Sequence, residues 1–324
     1  MPSRLFRLGE RFIRSPWVFP FALLWQMVAF LRNAFYDWGI FKIYRVPVPV
    51  LSVGNLSLGG SGKTPLVILL AEHFSDRKVA ILARGYGGGD ELKVIHRHVP
   101  KAKIYAGADR VALAELAVKD GAELILLDDG FQHRRLHRDW DVVLIDPTAY
   151  LLRESKARLK GVDLIASFFP NAASVTFKLK PKESIHLKGS AAIFCGIANP
   201  GRFEKTVQKL GIEVVGKLFL GDHEAAQEKQ LRALLKKSGA KYLLCTEKDF
   251  VKLPFHQLPI QCLTVKASIE KGFLEWQAFL AKIEQRIDNH PHHGRAFNNL
   301  LTQARGEHSQ RDGGPVVQKS RRSC

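Results

Sequence analysis

Short apolar runs alternate with longer segments of helical character along the first half of the chain. Runs of this length and composition are typical of parallel strands that are covered on both faces of a sheet. The alternation therefore predicts a doubly wound α/β domain over residues 46–174, in which strand and helix follow each other in turn. The predicted strands lie at 46–53, 78–83, 124–127, 142–145 and 164–166, and the clearest helices at 65–74 and 109–119.

A second set of alternating elements begins near residue 175 and predicts a second, smaller α/β domain over 175–287. Beyond it, residues 288–324 are rich in His, Asn, Gln, Arg and Gly and have little periodicity. Such a composition favours a disordered tail. In the second domain, strands are predicted at 191–194, 242–245 and 262–265, and helices at 202–210, 224–237 and 270–287.

The first 45 residues have a different pattern, in which an apolar stretch at 16–31 is flanked by basic residues. Its length is at the lower limit for crossing a bilayer, and Pro20 and Gln26 interrupt it. We therefore expect a membrane-associated helix that lies in the interface; a spanning helix and an amphipathic helix packed on its own domain are the alternatives. The flanking basic residues are Arg4, Arg7, Arg11, Arg14, Arg32, Lys42 and Arg45, and the tryptophans are Trp17, Trp25 and Trp38.

A glycine-rich loop connects the first predicted strand, 46–53, to the first predicted helix, 65–74. A loop in this context cradles phosphates, because its backbone N–H groups and the helix N-terminus converge on anionic oxygens. Lys63 can bridge the β- and γ-phosphates of a nucleoside triphosphate, and the Thr64 hydroxyl can bind Mg²⁺. Ser57 stands where the general pattern has glycine. The loop consists of Ser57, Leu58, Gly59, Gly60, Ser61, Gly62, Lys63 and Thr64.

A phosphate loop of this kind requires an acidic partner for Mg²⁺ at the end of a neighbouring strand. Two predicted strands end in carboxylates, one in Asp128 and Asp129 and the other in Asp146. Adjacent aspartates repel each other unless a cation or a proton-accepting role offsets the cost. We assign Asp128 to the Mg²⁺ site and Asp129 to the general base, with the reverse assignment open. Asp146 is a further candidate Mg²⁺ ligand.

The chain has 324 residues and a formal net charge of +18, which calls for an acidic partner. Nucleic acid, an anionic membrane surface and a phosphorylated substrate would each fit the charge. Much of the charge lies in the N-terminal segment and the C-terminal tail, and no aromatic-basic recognition motif is present, so we expect no nucleic-acid partner. The four cysteines lack disulfide or metal-site spacing, which is typical of a reducing compartment: Cys195, Cys245, Cys262 and Cys324.

Four segments of the chain form a recognisable set: Leu-Ser-Val-Gly-Asn-Leu-Ser-Leu-Gly-Gly-Ser-Gly-Lys-Thr-Pro at 51–65, Arg-Gly-Tyr-Gly-Gly at 84–88, Asp-Asp-Gly-Phe-Gln-His at 128–133 and Thr-Glu-Lys-Asp at 246–249. Shorter landmarks occur at 107–110, 195–200 and 222–223. In order and spacing these segments resemble the tetraacyldisaccharide 4'-kinase family, which phosphorylates a lipid A precursor in Gram-negative bacteria. Ser also replaces the first loop glycine in that family, so Ser57 supports the resemblance.

The resemblance implies two α/β domains with the active site between them, and ATP and Mg²⁺ as cosubstrates. It implies phosphoryl transfer to the 4'-hydroxyl of a tetraacyldisaccharide 1-phosphate, a glycolipid acceptor embedded in the membrane. The enzyme would then work at the anionic cytoplasmic face of the inner membrane, held there peripherally or by a single N-terminal helix. Within this scheme Lys63 and Asp129 are catalytic.

His223 completes the predicted site, because an imidazole can hydrogen-bond the base carboxylate across the cleft between the domains and tune it. The alternative is an ordinary residue at a helix start, with Asp222 as the N-cap. The family's Asp-His-His is Asp-His-Glu here, so one histidine remains to assist.

A second departure from the family follows Asp146, where a longer stretch with Pro-Ala-Gly-Pro-Leu-Arg-Glu is shortened to Leu-Arg-Glu at 152–154. An altered acceptor or an inactive kinase is therefore one alternative to the family function. A membrane-associated P-loop NTPase switch is the other. A guanine-reading element needs Lys and Asp two positions apart, whereas Lys248 and Asp249 are adjacent.

Overall fold

The computed structural model describes residues 19–56, 62–85, 89–149, 156–182, 189–197, 200–222, 224–254 and 257–289. The predicted loop residues Ser57, Leu58, Gly59, Gly60 and Ser61 lie outside the described residues, as do His223, the segment 152–154 and nearly all of the predicted tail. The shortened loop and the role of His223 therefore stay predictions.

The N-terminal half contains a helix followed by alternating strands and helices. Its elements are α1 (Phe19–Asp37), β1 (Val50–Asn55), α2 (Lys63–His73), β2 (Val79–Ala83), α3 (Asp90–His98), β3 (Lys103–Ala106), α4 (Arg110–Lys119), β4 (Leu124–Asp128), β5 (Trp140–Leu144), a 3₁₀ turn (Lys156–Leu159), β6 (Leu164–Ser167) and β7 (Val175–Pro181).

The C-terminal half continues the alternation and ends in the longest of its helices. Its elements are β8 (Ser190–Cys195), α5 (Pro200–Lys209), β9 (Glu213–Phe219), α6 (Glu228–Ser238), β10 (Tyr242–Thr246), α7 (Glu247–Phe250), β11 (Ile260–Leu263), β12 (Val265–Lys271) and α8 (Phe273–Asp288).

The larger sheet has eight strands in the order β12-β7-β6-β5-β1-β4-β2-β3. All neighbours pair in parallel except β12, which runs antiparallel to β7. Helices cover both faces, with α2, α3 and α8 packed on one and α4 on the other. Since β1 is buried along its whole length, an uninterrupted apolar run was the correct signal for a central parallel strand. The predicted α/β class is confirmed.

The smaller sheet has four strands in the order β11-β10-β8-β9, all parallel. The helix α5 packs on one face through Phe203 and Val207, and α6 packs on the other through Leu231. Each unit therefore buries its own apolar layers, as expected of two α/β units.

The two sheets do not divide the chain at the predicted boundary of 174/175. The strands β7 and β12 and the helix α8 belong to the larger unit, where Phe177 packs edge-to-face on Trp276 with ring centroids 5.1 Å apart. The predicted strand 262–265 covers two strands, β11 and β12, that lie in different sheets. The break falls at Thr264, a residue that is common within strands and therefore gave no sign of a boundary.

The C-terminal end of α1 is fastened to the loop that follows β4. Arg134 donates from Nη1 to the carbonyl of Asn33 at 2.7 Å and from Nη2 to Asp37 Oδ1 at 2.6 Å. The guanidinium also lies over the ring of Tyr36, 5.2 Å from its centroid. Within the described part of the chain, no helix has the length and apolar character needed to cross a membrane.

Candidate functional site

The candidate site lies where the parallel strands of the larger sheet end. Asn55 is the last residue of β1, Asp128 is the last residue of β4, and β1 pairs Val53 with Asp128. The carboxyl edge of an open parallel sheet is the usual position for ligands in such folds. The pairing of β1 and β4 therefore brings Asn55 and Asp128 to the same edge.

Lys63 begins α2 and reaches back to this edge. Its Nζ donates to Asn55 Oδ1 at 3.1 Å and lies 3.3 Å from Asp129 Oδ1. Gly62, just before it, has φ 91°, and a Cβ there would lie 2.4 Å from the ring of Phe168. Only glycine fits this approach, which places Lys63 at the first helical position.

Asp128 presents a carboxylate with an unused oxygen. Its Oδ1 is buried and has no hydrogen-bond partner among the described residues. The pKa of this carboxyl is raised to about 6, chiefly by burial; Lys63 and Arg110 act against the rise, whereas the charges of Asp129 and Glu91 contribute to it. An acid kept partly protonated near neutral pH is expected where a cation normally supplies the missing charge.

The backbone turns sharply after Asp128. Asp129 has φ 56°, a left-handed conformation that side chains rarely adopt. Gly130 follows in close packing, since a Cβ there would lie 2.5 Å from Leu127 and 2.8 Å from Ser52 Oγ. The strained turn directs the Asp129 carboxylate to Lys63, and strain of this kind is concentrated at functional sites.

Arg110 is a functional candidate that the sequence reasoning did not assign. Its side chain is almost fully buried, and Nη1 donates to the carbonyl of Ala83 at 2.8 Å and to the carbonyl of Gly107. Burial lowers its pKa, while the charge of Asp128 opposes this effect. Arg110 thus fixes the end of β2 and places a cation near Asp128. Its signal in the sequence was an arginine directly after Asp109, which caps α4.

Thr64 and Asp146 complete the predicted metal-binding set. Thr64 lies in the first turn of α2, beside Lys63. Asp146 lies two positions past the end of β5, and its Oδ1 accepts hydrogen bonds from the Thr148 amide at 2.8 Å and hydroxyl at 2.6 Å. Among the described residues, no three His, Cys, Asp or Glu side chains are arranged to hold a metal ion. A cation here would need hydroxyl, phosphate or water oxygens in addition.

A second group of charges lies between the two sheets, and we call it the interdomain cluster: Asp90, Glu91, His98, Glu247, Lys248, Asp249 and Lys252. The Lys252 ammonium lies 3.5 Å from Asp90 Oδ2 and 3.6 Å from Asp249 Oδ1. Lys248 pairs with Glu91 at 2.5 Å. The first turn of α3 therefore joins the larger sheet to α7 of the smaller one.

Asp249 also organises the smaller sheet's side of the cleft. Its Oδ1 accepts from the Gly196 amide at 2.9 Å and its Oδ2 from Thr246 Oγ1 at 2.5 Å. A Cβ at Gly196 would lie 2.5 Å from the Glu224 carbonyl and 2.9 Å from the Gly221 carbonyl. The backbone on either side of position 223 is thus packed directly against this strand end.

Comparisons with known proteins agree with these features. A family model described as tetraacyldisaccharide-1-P 4'-kinase matches residues 14–287. The tetraacyldisaccharide 4'-kinase of Haemophilus influenzae (strain 86-028NP) is 30% identical over 329 residues, covering 88% of this chain and 95% of that protein. The protein of the same name from Syntrophotalea carbinolica is 33% identical over 319 residues, with coverages of 79% and 89%.

A solved structure is also similar over most of the chain. It is the crystal structure of LpxK from Aquifex aeolicus in complex with ATP, with a TM-score of 0.66 and 29% sequence identity. The similarity covers 83% of this chain and 98% of that one.

Proposed function

The chain belongs to the tetraacyldisaccharide-1-P 4'-kinase family, and we propose that it transfers the γ-phosphate of ATP to the 4'-hydroxyl of a tetraacyldisaccharide 1-phosphate. The observation that carries this function is the arrangement of Lys63 between Asn55 and Asp129, beside the unpartnered oxygen of Asp128. Phosphoryl transfer requires mainly alignment and charge stabilisation, and these residues offer both.

The phosphates of ATP would lie on the loop of residues 57–64 and at the N-terminus of α2. Lys63 is already held at this edge by two oxygen partners, so its ammonium is oriented before the nucleotide binds. Backbone N–H groups of such a loop and the helix dipole favour phosphate binding. The ATP complex of the A. aeolicus relative supports this assignment.

The donor set fits Mg²⁺, a hard cation that prefers oxygen ligands. Asp128 offers a buried oxygen without a partner, and the Thr64 hydroxyl lies in the adjacent first helical turn. Bound Mg²⁺ would draw charge from the phosphoryl group during transfer. Asp146 is the alternative acidic ligand, although its Oδ1 is engaged by Thr148.

Asp129 would accept the proton of the sugar hydroxyl. Its carboxylate is partly exposed and pairs with Lys63, which favours the ionised form that a base requires. His223 would orient this base from the smaller unit.

The acceptor explains the surface of the N-terminal segment. A glycolipid substrate lies in a membrane, and an enzyme that acts on it benefits from an interfacial position. The location that follows is the anionic cytoplasmic face of the inner membrane of a Gram-negative bacterium. The exposed apolar side chains that support this position are Met27, Val28, Phe30, Leu31, Trp38, Ile40, Phe41 and Ile43.

The test is transfer of labelled γ-phosphate from ATP and Mg²⁺ to tetraacyldisaccharide 1-phosphate in neutral detergent micelles. We expect transfer by the full chain, its loss in Lys63→Ala, and unchanged transfer in Lys101→Ala, which removes a surface lysine far from the phosphate loop in sequence. Absence of transfer with ATP still bound would mean that the segment around 152–154 has changed the acceptor or silenced the kinase.

A further inference from the structure

An open pocket lies at the C-terminal end of α1, on the loop that leads to β1. Its volume is about 280 Å³, and its lining residues are Tyr36, Phe41, Lys42, Tyr44 and Arg135. The lining combines aromatic rings with cations. None of the described lining residues is a carboxylate, so the pocket is suited to an anion.

The pocket is built on paired backbone. Tyr44 forms a parallel bridge with Leu136, its amide donates to the carbonyl of Arg135 at 2.8 Å, and its carbonyl accepts from His137 at 2.7 Å. Tyr36 and Phe41 pack edge-to-face with centroids 5.1 Å apart. These contacts hold the walls in place before any ligand binds, which lowers the entropic cost of binding.

Two cations share one aromatic ring in this pocket. Lys42 Nζ lies 4.8 Å from the centroid of the Tyr44 ring, and the Arg135 guanidinium carbon lies 5.2 Å from it. Two positive charges so placed repel each other, and an anion between them would offset the repulsion. Arg135 pairs with Asp109 at 3.3 Å with both side chains half exposed, and no described carboxylate pairs with Lys42. Arg135 also hydrogen-bonds the Tyr44 side chain. The Lys42 ammonium and the remaining donors of the Arg135 guanidinium can therefore bind a ligand.

Exposed apolar side chains flank the pocket. Trp38 is 70% exposed and Ile40 is 62% exposed, and Ile43 is also on the surface. A tryptophan beside lysine and arginine is typical of proteins that lie at the level of lipid headgroups. A free small anion in water would not explain these side chains, whereas a headgroup with attached acyl chains explains both features.

We propose that this pocket binds the phosphate of an anionic phospholipid headgroup, so that the membrane-binding face extends from α1 onto the loop 38–44 and Arg135. The proposal rests on the membrane partner of the proposed function. Lys42 and Arg135 donate to the phosphate oxygens, while Trp38 and Ile40 enter the boundary between headgroups and acyl chains.

The position of the pocket links membrane binding to the nucleotide edge. Arg135 directly follows Arg134, which ties α1 to the loop after β4, and that loop begins with Asp129. A headgroup held by Arg135 therefore fixes the orientation of the larger sheet's carboxyl edge relative to the bilayer. The acceptor hydroxyl would then approach from a defined direction.

The experiment measures partition of the full chain onto phosphatidylcholine vesicles with and without phosphatidylglycerol. The test variant is the double substitution Lys42→Ala and Arg135→Ala. Basic residues near an anionic surface contribute about 1 kcal/mol each, so we expect about thirtyfold weaker partition onto the anionic vesicles. Partition onto neutral vesicles should change by less than about twofold.

A matched control distinguishes the effect of the pocket on membrane binding from the effect of the net charge of the protein. Lys101→Ala with Lys266→Ala removes two charges near β3 and on β12, the opposite edge strands of the larger sheet. We expect this control to weaken partition by less than about threefold. Equal losses in the two double variants, or no loss in either, would overturn the proposal. Phe41→Ser, which keeps every charge but removes one wall, should also weaken anionic binding.

The acceptor's own phosphate is the other source of the same chemistry. If the pocket bound that group, the double variant would raise the acceptor KM in neutral detergent micelles and leave vesicle partition unchanged, which would overturn the proposal. Failure of the kinase function looks different, because a chain without phosphoryl transfer would still show pocket-dependent binding to anionic vesicles.

Discussion

Two clusters in this molecule contain the same three groups, a lysine and two aspartates, in different surroundings. In the nucleotide cluster, Lys63 pairs with Asp129 while Asp128 keeps a buried oxygen without a partner. In the interdomain cluster, Lys252 lies between Asp90 and Asp249, and all three are nearly inaccessible to solvent. In the first, a buried carboxylate oxygen has no partner among the described residues. In the second, the Lys252 ammonium is enclosed between two carboxylates at 3.5 and 3.6 Å, although its Nζ makes no hydrogen bond within the described residues.

The difference shows how to distinguish a binding site from an internal support when the residue types are the same. Asp249 uses both oxygens within the protein, on Gly196 and Thr246. Buried charges of this kind contribute little net stability when complete, but are costly to break. A buried carboxylate oxygen without a protein partner at a strand end can instead bind a ligand. We therefore expect substitutions in the nucleotide cluster to change turnover and those in the interdomain cluster to change stability.

The largest effect should come from Asp129→Asn, which removes the proposed base. Turnover should fall by about 10²–10⁴-fold while ATP affinity stays within about threefold, because base catalysis acts on the chemical step. Single-turnover kinetics together with a nucleotide-binding titration would check this. Full turnover in the variant would move the base role to Asp128 or Asp146.

The next effect concerns the interdomain cluster. Lys252→Met leaves two buried carboxylates without their cation and should lower the free energy of unfolding by about 3–5 kcal/mol. Lys248→Met is the matched control, since it breaks a partly exposed pair with Glu91 and should cost less than about 1 kcal/mol. Urea unfolding of both variants gives the two values. If both variants lost similar amounts of unfolding free energy, burial would not determine how much each ion pair contributes to stability.

A third effect is the pH dependence of stability that Asp128 gives to the nucleotide cluster. The pKa of Asp128 is raised to about 6, so ionisation costs the folded state stability as pH rises from the unfolded pKa to that value. In chelator-treated protein, Asp128→Asn should therefore be more stable than the wild type at pH 7.5, by at most about 3 kcal/mol. The gap should close as the pH falls towards 4. A gap that is independent of pH would contradict the assigned burial of this carboxylate.

The smallest expected effects come from two threonines, Thr246 beside the interdomain cluster and Thr64 beside the nucleotide cluster. Thr246→Val removes the hydroxyl that donates to Asp249 and caps α7, and should cost about 1–2 kcal/mol of stability without changing the Mg²⁺ dependence. Thr64→Val should leave thermal stability within about 0.5 kcal/mol and raise the Mg²⁺ concentration needed for half-maximal turnover. If Thr64→Val instead unfolds the protein, its hydroxyl has a structural role.

The nucleotide cluster was largely accessible from the sequence because its parts are contiguous. An apolar strand, a glycine loop and a helix follow one another, and strand ends with carboxylates can be identified one at a time. The role of Asn55 as a partner of Lys63 was missed, although the sequence shows a polar residue directly after the apolar run of β1.

The interdomain cluster could not be predicted in the same way. Lys252 and Asp90 are far apart in the sequence, and their pairing depends on how the two sheets meet. The helix α3 that carries Asp90 was missed because a glycine-rich turn precedes it and its exposed face is rich in His, Lys and Arg. The strand β9 was missed for another reason: it alternates between exposed and half-buried positions at the edge of its sheet.

The return of β12 and α8 to the larger sheet has a consequence for the order in which this protein is made. When a ribosome has released the chain as far as β7, the outer edge of that strand has no partner and Phe177 has no aromatic neighbour from α8. The complete smaller sheet must be synthesised before both arrive. During that interval, the unpaired edge of β7 is open to other chains, and a nascent chain of this protein can aggregate there.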